Sequence, residues 1–113
     1  MNSVFDIAQS GLQVSSLRLE VSANNVANTL TSGFVPSHVE ATDVAAGGAT
    51  GDVIKENDPQ FEAQIDRNIA GLSGTDLTRE VVGQSETANA FKANLATLRT
   101  ADDMLASLME IKK

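Results

Sequence analysis

The residues of this chain that could take part in acid–base or metal chemistry are few and scattered. His38 is the only histidine, and Glu40 follows it two positions later. A zinc site needs three or four ligands at suitable spacing, and the chain has no cysteine to supply the missing ones. No nucleophile has a matching base, so the sequence predicts neither a metal site nor a catalytic triad.

Two further patterns have the residue types of a site but lack its geometry. Asp102 and Asp103 are adjacent, so on a helix their side chains point about 100° apart and do not converge on one reacting atom. Residues 47–51 form a glycine-rich stretch, yet it lacks the lysine that would hold a phosphate. A flexible turn is the favoured interpretation there, and the sequence predicts no enzyme and no cofactor.

Composition and charge restrict the classes of protein to which the chain could belong. It has 113 residues, a net charge of −7 and only four aromatic residues, all phenylalanine. The eight basic residues are scattered, which argues against binding of nucleic acid. Its N-terminus lacks a secretory signal pattern, and no apolar run approaches the roughly 20 residues that span a membrane. We therefore expect a soluble protein of one small domain with no direct membrane insertion.

The N-terminal third of the chain predicts one long helix. Residues 3–29 contain no proline, and at 1.5 Å per residue they would span roughly 40 Å. Two apolar rows with a spacing of seven lie on opposed sides of this helix. The first row is Phe5, Leu12, Leu19 and Val26, and the second is Ile7, Val14 and Val21. Two opposed rows cannot both face one partner, so this helix needs more than one neighbour.

The C-terminal third predicts a second, longer helix. It would begin near residues 73–76, where Thr75 or Asp76 can cap the first turn, and continue to about Ile111. Residues at alternating spacings of four and three form a coiled-coil seam: Leu77, Val81, Gln84, Ala88, Phe91, Leu95, Leu98, Asp102, Leu105 and Met109. Gln84 and Asp102 are its polar members. Each either fixes the register between helices or lies where the seam opens to solvent, and the sequence leaves both alternatives open.

The middle of the chain is short and acidic. Residues 35–72 hold both prolines, and seven acidic residues against two basic ones give them a net charge of −5. Residues 39–44 and 51–55 could pair as a β-hairpin around the turn at 47–51. The four-residue spacing of Phe61, Ile65 and Ile69 allows a short helix packed on the flanks.

The most distinctive segment of the chain closes the first helix. Residues 22–34 read Ser-Ala-Asn-Asn-Val-Ala-Asn-Thr-Leu-Thr-Ser-Gly-Phe. Asparagine is a mediocre helix former, so Asn24, Asn25 and Asn28 need partners or caps in the last turns. Gly33 can adopt the left-handed conformation that ends the segment, and Phe34 can then anchor the exit of the chain.

This segment resembles the N-terminal motif of the flagellar rod, hook and hook-associated axial proteins, approximately Ala-Asn-Asn-Ile-Ala-Asn-x-x-Thr-x-Gly-Phe/Tyr. Residues 23–34 fit it without a gap, and the resemblance returns at 75–81, 90–94 and 100–105. The chain departs from the family at Ser32, where proline is common, and at Leu30, where a polar residue is usual. Val35 and Pro36 stand where a basic residue often follows the aromatic one. The short middle is most similar to rod proteins of the proximal type.

The resemblance implies a mainly α fold. Long N- and C-terminal helices would form an antiparallel coiled-coil-like pair, joined by a short loop or β-hairpin segment. The implied parts are an N-terminal axial helix with the asparagine-rich motif (1–34), a short acidic middle segment (35–72) and a C-terminal axial helix (73–113).

The resemblance also implies a function. The chain would be a structural subunit of the bacterial flagellar basal-body rod, assembling through its terminal helices into the axial tube that transmits torque. Its implied partners are copies of itself, other flagellar rod or hook proteins, and the flagellar export apparatus. Through that apparatus it would reach the periplasm-spanning rod without a cleaved signal peptide.

The residues that would make the assembly interface are apolar seam residues together with the asparagine motif. They are Phe5, Gly11, Leu12, Leu19, Asn24, Asn25, Val26, Asn28, Gly33, Phe34, Val81, Ala88, Phe91, Leu95, Leu98 and Leu105. Within this set, the first apolar row would meet the seam of the second helix, and Gly11 would allow close approach. The alternative function is a soluble helical adaptor or export chaperone for flagellar proteins, which should be stably folded alone and would not need the asparagine motif.

Overall fold

The computed structural model describes residues 2–56 and 73–111. In chain order its elements are helix α1 (Asn2–Ala27), strands β1 (Ser37–Asp43) and β2 (Ala49–Lys55), and helix α2 (Leu77–Ile111). The two helices pack against each other and the strands pair as one hairpin, so the predicted mainly α fold is confirmed. The short helix predicted around Phe61, Ile65 and Ile69 lies outside the described residues. The three-part division of the chain stays a prediction.

The asparagine motif ends α1 two residues before the predicted position. The backbone N–H of Asn28 is shared between the carbonyl groups of Asn24 and Asn25, at 3.1 and 3.2 Å. The N–H of Thr29 then donates to the carbonyl only three residues earlier, at 3.1 Å, so the last turn tightens. Gly33 has a φ of +69°, the left-handed conformation predicted for it, and the chain turns there toward the hairpin.

The start of α2 is capped by an aspartate. Asp76 Oδ1 accepts hydrogen bonds from the backbone N–H groups of Thr78 at 3.0 Å and Arg79 at 3.2 Å. These N–H groups have no intrahelical partner in the first turn, and the carboxylate satisfies them. Its negative charge also interacts favourably with the helix dipole. One of the two predicted caps is therefore confirmed. Just upstream, the N–H of Gly74 donates to the carbonyl of Phe34 at 3.0 Å and ties the start of α2 to the end of the α1 motif.

The hairpin has a regular antiparallel register that runs from the pair Ser37 and Lys55 to the pair Asp43 and Ala49. Its turn is closed by the N–H of Val44, which donates to the carbonyl of Gly48 at 3.0 Å. Gly47 and Gly48 have φ values of +94° and +95°, which side chains other than glycine rarely adopt. The sequence predicted this hairpin from its glycines, and the structure confirms it.

The hairpin lies against the second apolar row of α1. The N–H of Ala49 donates to Ser10 Oγ at 3.1 Å. A Cβ atom placed on Gly51 would lie 3.3 Å from Leu17 and 3.6 Å from Val14, so glycine lets β2 approach the helix closely. Val14 is only 7% exposed. The two opposed rows of α1 therefore have different neighbours, and the hairpin is the neighbour of the second row.

The two helices run antiparallel, because later residues of α1 contact earlier residues of α2. Ser22 Oγ accepts a hydrogen bond from Gln84 Nε2 at 3.0 Å. Near the other end, a Cβ atom on Gly11 would lie 2.6 Å from Asn94 Nδ2, so the helices approach closely there. Gln84 therefore follows the first of its two predicted alternatives, in which a polar seam residue fixes the register between the two helices. Asp102 is exposed, so the seam opens to solvent at that position.

The most buried part of the contact between the helices is made by small and polar residues. Its most buried members are Ala8, Ser15 and Asn25 of α1, with Thr87 and Ala101 of α2, all between 2% and 9% exposed. Val81 of the predicted seam is 57% exposed, whereas its members Phe91, Leu95 and Leu98 are half-buried. That the first apolar row meets this seam stays a prediction. Small residues let the two backbones come close, and the larger apolar residues are displaced to the sides of the contact.

The resulting molecule is thin. Its principal extents are 74 × 25 × 14 Å. Among the described residues the buried apolar side chains are few: Ala8, Val14, Pro36 and Ala101. Many large apolar side chains consequently remain half-buried or exposed.

Candidate functional site

Asn25 lies where α1, β1 and the start of α2 meet. Its Nδ2 donates to the carbonyl of Ser37 and to Glu80 Oε1, both at 2.7 Å. Its Oδ1 accepts from the N–H of Ser37 at 3.0 Å, and its backbone carbonyl accepts from Thr75 Oγ1 at 3.2 Å. We call Asn25, Ser37, Thr75 and Glu80 the asparagine junction.

The junction explains why the asparagine is tolerated in a helix. Both donors of the Asn25 amide are used, and the side chain is only 2% exposed. The bonds to both backbone groups of Ser37 hold β1 in one orientation relative to α1. A carboxamide is suited to this place, because it offers donors and an acceptor from one short planar group.

The other motif residues shape the exit from α1. Asn28 Nδ2 donates to the carbonyl of Asn24 at 2.9 Å, and Asn28 Oδ1 accepts from Thr31 Oγ1 at 3.1 Å. Phe34 is half-buried, and its N–H donates to the carbonyl of Thr31 at 3.2 Å. Asn24 itself is exposed. Of the three predicted asparagines, two are therefore engaged within the chain, and the side chain of the third faces solvent.

A shallow groove of about 640 Å³ runs beside the junction, between the hairpin and the first turns of α2. Glu56 stands on its wall, with one carboxylate oxygen 3.3 Å from Arg79 Nη1 and 3.8 Å from His38 Nδ1. Both contacts are partly exposed, so each contributes little stability. Within residues 2–56 and 73–111, no group of three histidine or acidic side chains is placed to hold a metal ion.

One long side of the helix pair carries apolar side chains that are half-buried or exposed. Leu12 and Val26 each follow a residue that contacts α2, whereas Val21 of the hairpin-facing row precedes one, Ser22. Phe5 and Leu19 share the seven-residue spacing of Leu12 and Val26. The two rows therefore lie on opposite sides of α1. In an antiparallel pair the matching positions of α2 are Val81, Ala88 and Leu95, which follow Glu80, Thr87 and Asn94. We call these seven residues the apolar side.

The structure places the sequence-predicted interface residues in three classes. Asn25 is buried; Asn24, Gly33 and Val81 are exposed; and Phe5, Gly11, Leu12, Leu19, Val26, Asn28, Phe34, Ala88, Phe91, Leu95, Leu98 and Leu105 are half-buried. Gly11 lies at the close approach of the helices, and the first apolar row lies on the apolar side. Their role in subunit contacts stays a prediction.

Sequence reasoning missed the small residues of the helix contact and the partners of Asn25. The signal for the first was present, since Ala8, Ser15 and Ser22 recur every seven residues. Glu80, Thr87, Asn94 and Ala101 repeat the same spacing on α2. A search for hydrophobic periodicity misses such rows, because the larger apolar residues at neighbouring positions dominate the pattern.

Residues 5–34 match the family model described as flagella basal body rod protein. The whole chain also aligns with the flagellar basal-body rod protein FlgC of Agrobacterium fabrum, 26% identical over 133 aligned positions. That alignment covers 100% of this chain and 96% of the relative.

Both matches show that the chain is similar to flagellar basal-body rod proteins. The residues matched by the family model are those that build α1 and its asparagine motif. Among the described residues, no helix is both long and apolar enough to cross a membrane.

Proposed function

We propose that this chain is a structural subunit of the bacterial flagellar basal-body rod, assembling through its terminal helices into the axial tube that transmits torque. The observation that carries this proposal is the apolar side. It runs along the whole of α1 and continues on α2, and the hairpin lies on the opposite face of α1. Neighbouring subunits are the natural cover for such a surface.

The energy available from covering the apolar side is large for so small a chain. Full burial of one leucine or phenylalanine side chain is worth about 1.5–3 kcal/mol. Six of the seven side chains are already half-buried. Covering the remaining area would therefore contribute several kcal/mol per subunit, which suits contacts that form only on assembly.

The partners we propose are copies of this chain and other flagellar rod or hook proteins. The exposed Asn24 and the half-buried Phe34 lie at the motif end of the pair and would contact those neighbours. The thin fold, with few buried apolar residues among those described, suits a subunit that unfolds to pass through the flagellar export apparatus. Such a route would deliver it to the periplasm-spanning rod without a cleaved signal peptide.

The experiment that tests this function is mass spectrometry of purified flagellar basal bodies from the source bacterium. We expect the chain in the detergent-resistant axial core, in amounts stoichiometric with other rod proteins. Absence from intact basal bodies, with recovery in the soluble fraction, would contradict the proposal and favour a helical adaptor instead.

A further inference from the structure

Strand β1 has one edge paired with β2 and one open edge. The N–H of Glu56 donates to the carbonyl of Pro36 at 2.9 Å before the first strand pair, and the N–H of Val44 donates to the carbonyl of Gly48 at 3.0 Å after the last one. Hydrogen-bonded and non-hydrogen-bonded pairs alternate along an antiparallel ladder. The even-numbered residues of β1 therefore bond to β2, and the backbone groups of its odd-numbered residues point to the open edge.

The side chain of Asn25 occupies the first position of the open edge. Its Nδ2 donates to the carbonyl of Ser37 at 2.7 Å, and its Oδ1 accepts from the N–H of Ser37 at 3.0 Å. A residue of an added antiparallel strand would make the same two bonds, so the carboxamide stands in for a strand there. The next odd-numbered residues are Val39 and Ala41, and no described residue supplies a hydrogen-bond partner to their backbone groups. The edge is therefore open beyond Asn25.

The open edge of β1 borders the groove of about 640 Å³ beside the asparagine junction. Val39 lies on one wall, the first turns of α2 form the other, and Arg18, Val21 and Ser22 of α1 line it as well. No Cα atom of β1 lies within 8 Å of a Cα atom of α2, whereas paired strands are about 4.8 Å apart. A Cβ atom on Gly83 of the α2 wall would meet nothing within 4 Å, so a chain can approach there. The groove therefore leaves room for one extended segment beside β1.

The charges around the groove favour an occupant with basic side chains. Gly51 faces α1, so its neighbour Asp52 and the opposite residue Glu40 point to the outer face of the hairpin. Both carboxylates are exposed, and like charges directly opposite each other destabilise a strand pair. The side chains that line the groove are also more acidic than basic: Glu56, Asp76, Glu80 and Glu86 against Arg18 and Arg79. A basic side chain beside Glu40 would offset the repulsion.

We propose that the groove beside the asparagine junction binds an extended segment of another protein, in which apolar and basic residues alternate. The segment adds to the open edge of β1 as an antiparallel third strand and pairs with the backbone of Val39 and Ala41. The apolar side chain opposite Val39 faces Val21, and the basic side chains next to it lie on the face of Glu40. This inference goes beyond the proposed function, since the apolar side takes no part in it.

A second copy of the chain fits the groove less well than a single segment. The strands that the structure describes are β1 and β2, which are paired with each other and packed on α1. Pairing of two β1 edges would therefore have to bring a whole hairpin and its helix between β1 and α2. An extended segment of another protein carries no such attachment.

Binding of a synthetic peptide to the full chain tests the proposal. The probe is a capped, fluorescently labelled peptide of sequence Lys-Val-Lys-Val-Lys, and anisotropy should show saturable binding. The valine N–H groups point toward β1 in this arrangement, so methylating those nitrogens should weaken binding about tenfold or more. Methylating the lysine backbone nitrogens, which point away from β1, is the matched control and should leave the affinity nearly unchanged. Bound peptide should slow amide hydrogen exchange at Val39 and Ala41 more than at His38, which already bonds to β2.

Two substitutions in the chain test the same contact from the other side. Ala41→Pro removes an edge N–H without removing a bond to β2, a place where strands tolerate proline, and should weaken peptide binding about tenfold. Glu40→Lys should weaken it about fivefold by replacing attraction to the lysines with repulsion. Glu20→Lys is the control with the same change in net charge, because Glu20 lies beside β2 and outside this groove.

Three results would overturn the proposal. Absence of saturable binding up to the solubility limit of the peptide is one, and equal binding of the two methylated peptides is another. The third is a dimer of the free chain that Ala41→Pro abolishes, since a second copy would then occupy the edge. None of these results bears on the presence of the chain in purified rods, which tests the proposed function separately.

Discussion

The two faces of α1 use different kinds of residue. Toward α2 it presents Ala8, Gly11, Ser15, Ser22 and Asn25, which are small or polar. On the apolar side it presents larger residues that stay half-buried. The comparison indicates that contacts inside the chain set its geometry, while most of the burial energy is left for neighbours.

This difference predicts separate consequences for the two faces. Substitutions on the inner face should lower the free energy of unfolding of the monomer. Substitutions on the apolar side should lower assembly and change monomer stability less. The predictions that follow concern monomer stability at the inner face and at selected glycine and seam positions, in order of decreasing effect.

Asn25→Ala should have the largest effect on monomer stability. It removes the partners of both backbone groups of Ser37 and a donor to Glu80. Leaving such groups unsatisfied should lower the free energy of unfolding by about 2–4 kcal/mol, measured by urea unfolding of dilute protein. Asn24→Ala is the matched control at the neighbouring, exposed asparagine and should change it by less than about 0.5 kcal/mol. Equal effects of the two substitutions would contradict the junction.

Gly11→Ala should destabilise the helix contact by about 1–2 kcal/mol, since inserting extra atoms into a close contact has costs of this size. The added methyl group would lie 2.6 Å from Asn94 Nδ2. In the Asn94→Ala background the same change should become neutral or stabilising, because alanine is the better helix former. The readout is the coupling energy of the double-mutant cycle, and additivity of the two changes would argue against close approach at this point.

The glycine that ends the motif should differ from a glycine inside α2. At Gly33 a Cβ atom meets no neighbour within 4 Å, but φ is +69°, so Gly33→Ala should cost about 1 kcal/mol. Gly83 also has open space around it and lies within α2. Gly83→Ala should therefore raise the free energy of unfolding by about 0.5–1 kcal/mol. Thermal unfolding of both variants checks the opposite signs.

The smallest predicted effects separate the two polar seam positions. Gln84→Ala removes the bond to Ser22 and should cost about 1 kcal/mol. Asp102→Ala changes an exposed position and should alter stability by less than about 0.5 kcal/mol. Chemical unfolding of the two variants under one condition provides the comparison. A larger effect at Asp102 would indicate that the seam does not open there.

Much of the architecture followed from local sequence features. The absence of proline over 3–29, the aspartate cap at 76 and the glycines at 47–51 each specify structure through a few neighbouring residues. Both helices and the hairpin were predicted for that reason. Asn25 and Asn28 were also correctly expected to need partners, whereas the side chain of Asn24 faces solvent.

The register between the helices could not be derived in the same way. Large apolar rows predict a seam when burial decides the contact, but here close backbone approach decides it, and small residues are buried instead. A displacement of one residue turns a helix face by about 100°. The partners of Asn25 could not be predicted either, since Ser37 and Glu80 are 12 and 55 residues away in the sequence.

The most direct test of the apolar side is incorporation of Leu95→Asp into rods, with Ala93→Asp as a control at an exposed position of the same helix. A carboxylate buried without a partner is costly, so Leu95→Asp should be lost from purified basal bodies and motility should fail. Val81→Asp, at a more exposed position of the same side, should show the same defect with helical circular dichroism retained. Ala93→Asp should be incorporated like the wild type. Normal incorporation and motility of both apolar-side variants would contradict the account.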